Sequence, residues 1–107
     1  MKLVKDEALA KVFKALSHPL RVKIVKILLD GEKCVCELNR LVEYSQPNLS
    51  QHLKILKDAG VVDTRKVGLN IHYRIKNEYV KLLLKDAEEI VISNIETLST
   101  AHAPDDI

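Results

Sequence analysis

Cys34 and Cys36, one residue apart, are the side chains of this sequence best suited to chemistry. A thiolate pair takes up soft ions such as As(III), Cd(II) or Cu(I), and Zn(II) where further ligands complete its usual four. The same pair can be oxidised, or the two thiols can serve as small apolar filler. All three readings stand on the residues alone. In a continuous α-helix, residues two apart point roughly 200° apart, so both thiols cannot face one ion, whereas in an extended segment they share a face. Joint chelation therefore requires the segment to loosen or bend. Two thiolates also need a completing ligand. The candidates are His18, Glu37, a residue of a second subunit, or an exogenous thiol or water.

A second chemistry lies just downstream. If Leu49 points to the core, then Pro47, Ser50, Gln51 and Lys54 point away from it, with Gln46 at the edge of that outer face. Amides pair with adenine, hydroxyls with several base edges, and a lysine with guanine or phosphate. The free N–H groups of a helix start also attract phosphate. His52 falls nearer the core flank and reads as a supporting residue. A short hairpin follows that carries Arg65, Lys66 and Arg74, with Gly68 and Asn70 at its tip. Such a wing reaches phosphate or the minor groove.

The elements that must hold these residues follow from periodicity. Leu9, Val12, Phe13 and Leu16 give a first helix over about Asp6–Leu16 with one apolar face. Ser17 is placed to cap a second helix, which has Pro19 in its first turn, Leu20, Ile24, Ile27 and Leu28 as its stripe, and Gly31 after its end. A third helix spans about Val35–Val42, with Leu38, Leu41 and Val42 inward. Ser45 is placed to cap a fourth, whose inner face is Leu49, Leu53 and Leu56 and whose closing residue is Gly60. The period then shortens to two. Val61–Val67 and Asn70–Ile75 read as strands about Gly68-Leu69, with Ile71, Tyr73 and Ile75 on one buried face. A long last helix runs from about Glu78 to Leu98, striped by Val80, Leu84, Ala87, Val91, Ile95 and Leu98. Its stripe is longer than one small core needs, so it reads as a dimer seam.

Charge is sorted along the chain. The 107 residues have a net charge of +2, yet residues 45–77 carry six Lys/Arg against two Asp/Glu, and residues 78–107 carry two against seven. A basic middle suits a polyanion, and an acidic end should stay clear of it. Charged residues interrupt the N-terminus where a signal peptide needs an apolar run, and no apolar run reaches membrane-spanning length. A cytoplasmic protein with no membrane partner is expected, and two closely spaced cysteines are then no disulfide framework. No Gly-rich phosphate loop, paired-carboxylate motif or nucleophile–base motif points to an enzyme. A protein-interaction module would show apolar anchors on the outer face of the fourth helix, which is mostly polar.

Leu16-Ser17-His18-Pro19-Leu20-Arg21, then Ser45 through Leu56, then Ala59-Gly60-Val61-Val62 and Tyr73-Arg74-Ile75 together resemble the ArsR/SmtB family of transcriptional repressors. The resemblance covers about Ala8 to Ile75 and the long final helix. It implies a mainly α fold with a β-hairpin wing, a dimeric winged helix-turn-helix that binds an inverted-repeat operator in double-stranded DNA and leaves it when an effector binds. Carried over, residues 1–16 and 78–98 are the dimerisation helices of the homodimer, 35–59 the helix-turn-helix, 61–75 the wing, and 99–107 a flexible tail. The base-contacting positions fall on Gln46, Pro47, Ser50 and Gln51, and Lys54, Arg65, Lys66 and Asn70 complete the expected DNA-binding set. Glu32 to Leu38 looks like the family's thiolate sensor, which makes Cys34 and Cys36 the expected metal ligands. Two departures stand out. Asn39 occupies the place where arsenic-sensing members often have a third cysteine, and no Cys or His precedes Ser17. The family's zinc site on the last helix is absent, since Asp86-Ala87-Glu88-Glu89 contains no histidine.

Overall fold

The structure is a computed structural model that describes residues 4–42 and 48–101, with side chains as far as residue 97. The element order is α1 (Asp6–Ala15), α2 (Pro19–Leu29), β1 (Lys33–Cys34), α3 (Val35–Leu41), α4 (Leu49–Asp58), β2 (Val62–Val67), β3 (Asn70–Ile75) and α5 (Tyr79–Ala101). The elements from α1 to β3 form one compact unit and α5 forms a second. This is a mainly helical winged helix-turn-helix with a small antiparallel sheet.

The core of the first unit is aliphatic. Ile24, Val25 and Leu28 of α2 are buried with Leu38 and Val42, with Leu49, Leu53 and Leu56 of α4, and with Val61 and Val62. The leucines of α4 recur at four and three residues, so one side of the helix is apolar and the other is left to solvent. Gly60 ends α4 at φ +78, a conformation that costs an L side chain energy. The Gly60 N–H then bonds to the Lys57 carbonyl and the Val61 N–H to the Leu56 carbonyl, the Schellman pattern that turns the chain into β2.

The sheet order is β1-β3-β2, all antiparallel. Val67 pairs with Asn70 across the turn at Gly68-Leu69, and Gly68 sits at φ +64. β1 is an addition to the expected hairpin. At two residues it is too short to show a period, but it pairs Lys33 with Tyr73 and Cys34 with His72.

Several details correct the sequence reading. His18, not Ser17, caps α2. Its Nδ1 accepts the Leu20 N–H at 3.0 Å, while the Ser17 hydroxyl turns back to the Lys14 carbonyl at 2.7 Å. α4 starts at Leu49, with Asn48 in the capping position and making no side-chain cap bond, so it starts later than a cap at Ser45 would place it. Ser45, Gln46 and Pro47 lie outside the described residues. Leu41 faces out, and Ile71 of the wing is 41% exposed because the hairpin projects beyond the core that buries Val62 at its base. α5 continues to Ala101, and residues 102–107 of the expected tail lie outside the described residues.

The face expected to be buried on α1 is partly open, with Val12 and Leu16 half-buried. Leu9 and Phe13 are 49% and 55% exposed, and Ala15 is the buried residue of that helix. On α5, Val80 and Leu84 are buried, whereas Val91 and Ile95 of the same stripe are more than half exposed. One chain does not cover these side chains, although helical periodicity marks them as apolar faces.

Leu53 is fully buried at the centre of the α4 stripe. Leu53→Ala should lower unfolding stability by about 2–5 kcal/mol, read as a lower midpoint in urea at unchanged slope.

Candidate functional site

On α4 the buried leucines leave Ser50, Gln51 and Lys54 exposed on the opposite side, as the helical wheel requires. Gln46 and Pro47, the other expected base-contacting residues, fall outside the described residues. Lys54 is not a bare cation. Its ammonium donates to Asp58 Oδ2 at 2.7 Å, one turn on, and that bond raises the lysine pKa and lowers that of the aspartate. The pair is solvent-exposed and salt-screened, so a phosphate could replace Asp58 at little cost.

His52, half-buried on the flank of α4, meets a cluster that the sequence reading did not anticipate. Arg21 of α2 is 9% exposed. Its Nε donates to the Ala15 carbonyl at 2.7 Å, its Nη2 to the Lys14 carbonyl at 3.3 Å, and its Nη1 to His52 Nδ1 at 3.0 Å. A guanidinium only donates, so Nδ1 of His52 must present a lone pair and the neutral ring carries its proton on Nε2. The His18 ring lies against it, with centroids 4.7 Å apart. Burial first, then His18 and Arg21, hold the His52 pKa below the ordinary histidine value.

The wing carries Arg65, Lys66 and Asn70, all exposed. Arg65 is already engaged. Its Nε donates to both carboxylate oxygens of Glu32, at 2.9 and 3.0 Å. His72 Nδ1 stands 3.1 Å from Glu32 Oε2. The strand register explains this grouping, since Arg65 and Cys34 both pair with His72 across the sheet and Glu32 lies two residues before Cys34. The Arg65 hydrogen bond is the main reason the Glu32 carboxyl lies below the usual carboxylate range. Arg74 makes a looser pair with Asp63 at 3.7 Å. Nothing in the sequence pairs Glu32 with His72. Their meeting depends on β1.

The cysteines occupy the junction of β1 and α3. Cys34 is buried and is the N-cap of α3 in an extended conformation, and Cys36 lies exposed in the first helical turn. Their Cα atoms are 5.3 Å apart and the sulfurs form a disulfide. Cys34 is in the extended conformation in which the two thiols can share a face, and the sulfurs meet with α3 intact from Val35. The angular rule holds only inside a helix, and Cys34 stands just outside one. Cys34 Sγ also accepts the Glu37 N–H at 3.3 Å, while Glu37 Oε1 accepts the Cys34 N–H at 3.0 Å, a capping box with cysteine in the place of serine. Of the expected completing ligands, Glu37 is thus bound to its own cap and His18 to the start of α2. Among the described residues, no three His, Cys, Asp or Glu side chains converge on one point.

The family model for bacterial regulatory proteins of the ArsR family matches residues 18–64. The cadmium resistance transcriptional regulatory protein CadC homolog of Staphylococcus aureus is 46% identical over 79 residues, covering 73% of this chain and 65% of that protein. The arsenical resistance operon repressor of Staphylococcus xylosus is 36% identical over 86 residues, covering 80% of this chain and 83% of that protein. Among solved structures, a homodimeric winged helix-turn-helix DNA-binding domain from Mycobacterium bovis superposes with a TM-score of 0.76 at 27% identity, covering 90% of this chain and 94% of that one.

If Arg65 contacts phosphate, as expected of the wing, Glu32 competes for it. Glu32→Gln should therefore tighten binding to duplex DNA and steepen its salt dependence by about one unit of slope, measured by anisotropy across a salt series.

Proposed function

The chain belongs to the ArsR family of bacterial regulatory proteins, and on that premise we propose that it is a homodimeric repressor whose operator complex is broken when a thiophilic ion engages Cys34 and Cys36. Its role is transcriptional regulation rather than catalysis. No helix among the described residues is long and apolar enough to cross a membrane.

The DNA-reading surface of each subunit is the outer face of α4, with Ser50, Gln51 and Lys54, flanked by Arg65, Lys66 and Asn70 of the wing, and Gln46 and Pro47, just before α4 in sequence, complete the base-contacting set. Its polar and basic character supports this reading. Two copies address two half-sites of an inverted repeat, one helical turn apart. α1 and α5 each carry exposed apolar residues that favour pairing with a second copy. Burying each such side chain is worth roughly 1.5–3 kcal/mol, which favours a second copy over water.

The observation that carries the sensing mechanism is the double engagement of Cys34. Its sulfur caps α3 and lies within bonding reach of Cys36. An ion held by both sulfurs draws on the lone pairs that accept the Glu37 N–H. A helix cap is worth about 1 kcal/mol. α3 is the first helix of the helix-turn-helix, so disturbing its start acts on α4. The coupling expected of an effector is about 1–3 kcal/mol, the same scale. As(III), Cd(II) or Cu(I) suits a thiolate pair. With Glu37 and His18 engaged elsewhere, a third ligand comes from the partner subunit or from an exogenous thiol or water. Zn(II), which prefers four ligands, is the poorest match.

The disulfide favours a second reading with the same residues. Oxidation of the two thiols forms the S–S bond and passes two electrons, with loss of two protons, to an oxidant such as a peroxide.

The reduced protein should bind a duplex from its own promoter, and one soft ion should weaken that binding at least about tenfold. Cys34→Ser with Cys36→Ser should leave binding intact and abolish the response. Release of the double variant by the ion would place the sensor elsewhere, and release of the wild type by oxidant alone would favour the redox reading. Ile95→Glu with Phe13→Glu should shift the protein from dimer to monomer in sedimentation at low micromolar concentration.

A further inference from the structure

We propose that Arg21 and His52 are positioning residues that hold the recognition helix in its DNA-reading pose, and that their bridge forms only while His52 is neutral, so that acidification loosens the operator complex. The proposal rests on the assignment of α4 as the recognition helix.

The bridge joins three elements at one buried guanidinium. Two of its nitrogens take the last carbonyls of α1, and the third reaches across to α4. Asn48 makes no side-chain cap bond at the start of α4, and His52 gives the helix a directional polar tie to α2. His52 lies one residue after Gln51 and two after Ser50. A small rotation of α4 about its axis would carry both away from the bases, and the leucines on its inner face oppose such a rotation only through non-directional packing.

Protonating His52 removes the lone pair that Arg21 needs and sets a cation against the guanidinium. Among the described residues, the charged groups that act on His52 are Arg21 and His18, which both disfavour that proton, and the carboxylates of α4 and of the neighbouring β2 are paired elsewhere. From α2 and its capping residue come Arg21 and His18. From α1 come the carbonyls already bonded to Arg21. On α4 itself Lys54 and Asp58 bond to each other. On β2, Asp63 accepts the Thr64 N–H and pairs with Arg74.

The folded-state pKa of His52 is depressed, so below the ordinary histidine value of 6.5 the unfolded chain binds more protons than the folded one. The stabilisation is complete above that value and is lost as pH falls toward the folded pKa. Operator binding should follow the same sign. Histidines that merely gained charge near DNA would do the opposite, since added positive charge tightens binding to phosphate.

The test compares wild type with His52→Asn, whose Oδ1 can accept from Arg21 but does not titrate. Anisotropy with promoter duplex at fixed salt is measured from pH 8 to about pH 5.5, with thermal melts at each pH. Wild-type affinity should fall about fivefold or more across this range, while the asparagine variant stays flat at the wild-type level of neutral pH. His52→Leu, which cannot accept, should bind weakly at every pH. Parallel pH profiles for wild type and His52→Asn would overturn the proposal, as would wild-type affinity in His52→Leu. Should wild type fail to bind the duplex at any pH, the recognition-helix assignment and this use of the bridge both fall. A pH-dependent melt that His52→Asn abolishes would then show the bridge to be a stability device alone.

Discussion

A buried guanidinium organises the helix-turn-helix. Removing one partner from a buried charged group typically costs several kcal/mol, so Arg21 is tolerable only because its donors find the Ala15 and Lys14 carbonyls and His52. The carbonyls at a helix end have no partner within their helix, and here the cation supplies one. The end of α1, the body of α2 and the flank of α4 are thereby tied at one point. The leucine, isoleucine and valine core contributes most of the burial, but it has no preferred direction. The hydrogen bonds of Arg21 do, and they act on the helix that presents Ser50 and Gln51.

A second junction does similar work at the other end of the helix-turn-helix. Cys34 belongs to β1 and to the cap of α3 at once. Through β1 it is paired to His72 of the wing, and through its cap bond to the start of α3. Glu32, two residues earlier, bridges Arg65 and His72. One short segment, residues 32–37, therefore touches both the wing and the helix-turn-helix. Two residues of strand suffice because β3 is already held by β2, so adding β1 leaves little chain to order.

The helices and the hairpin were legible because each repeats its period several times. The α4 wheel placed Ser50, Gln51 and Lys54 outside and Leu49, Leu53 and Leu56 inside, as the structure has them. Features set by one or two residues, or by distant ones, were not legible. β1 has no period to detect. Without β1, nothing in the sequence decides between the helical and the extended geometry of the cysteine pair, and it is the strand that holds Cys34 extended. The choice between Ser17 and His18 as cap turned on which side chain met the Leu20 N–H, and propensity favours the serine. Arg21 and His52 are 31 residues apart, and only the packing of α2 against α4 brings them together. The α1 face was legible as apolar, but the sequence could not show that Leu9 and Phe13 stay open within one chain.

The two routes out of the thiol site are not equal. The wing route runs through Glu32 and Arg65, an exposed pair in which solvent and salt weaken the link. Breaking it frees a cation, which on the proposed DNA contact of Arg65 strengthens binding. The cap route runs through the Glu37 N–H and a buried sulfur, where a lost acceptor is not replaced by water at no cost. Breaking it disturbs the start of α3, which on the proposed mechanism weakens DNA binding. The two effects oppose each other, and the buried one is the larger. On the proposed function, an effector at Cys34 that reaches both acts as a derepressor. Only an effector that spared the cap and broke the Glu32–Arg65 pair would tighten the complex.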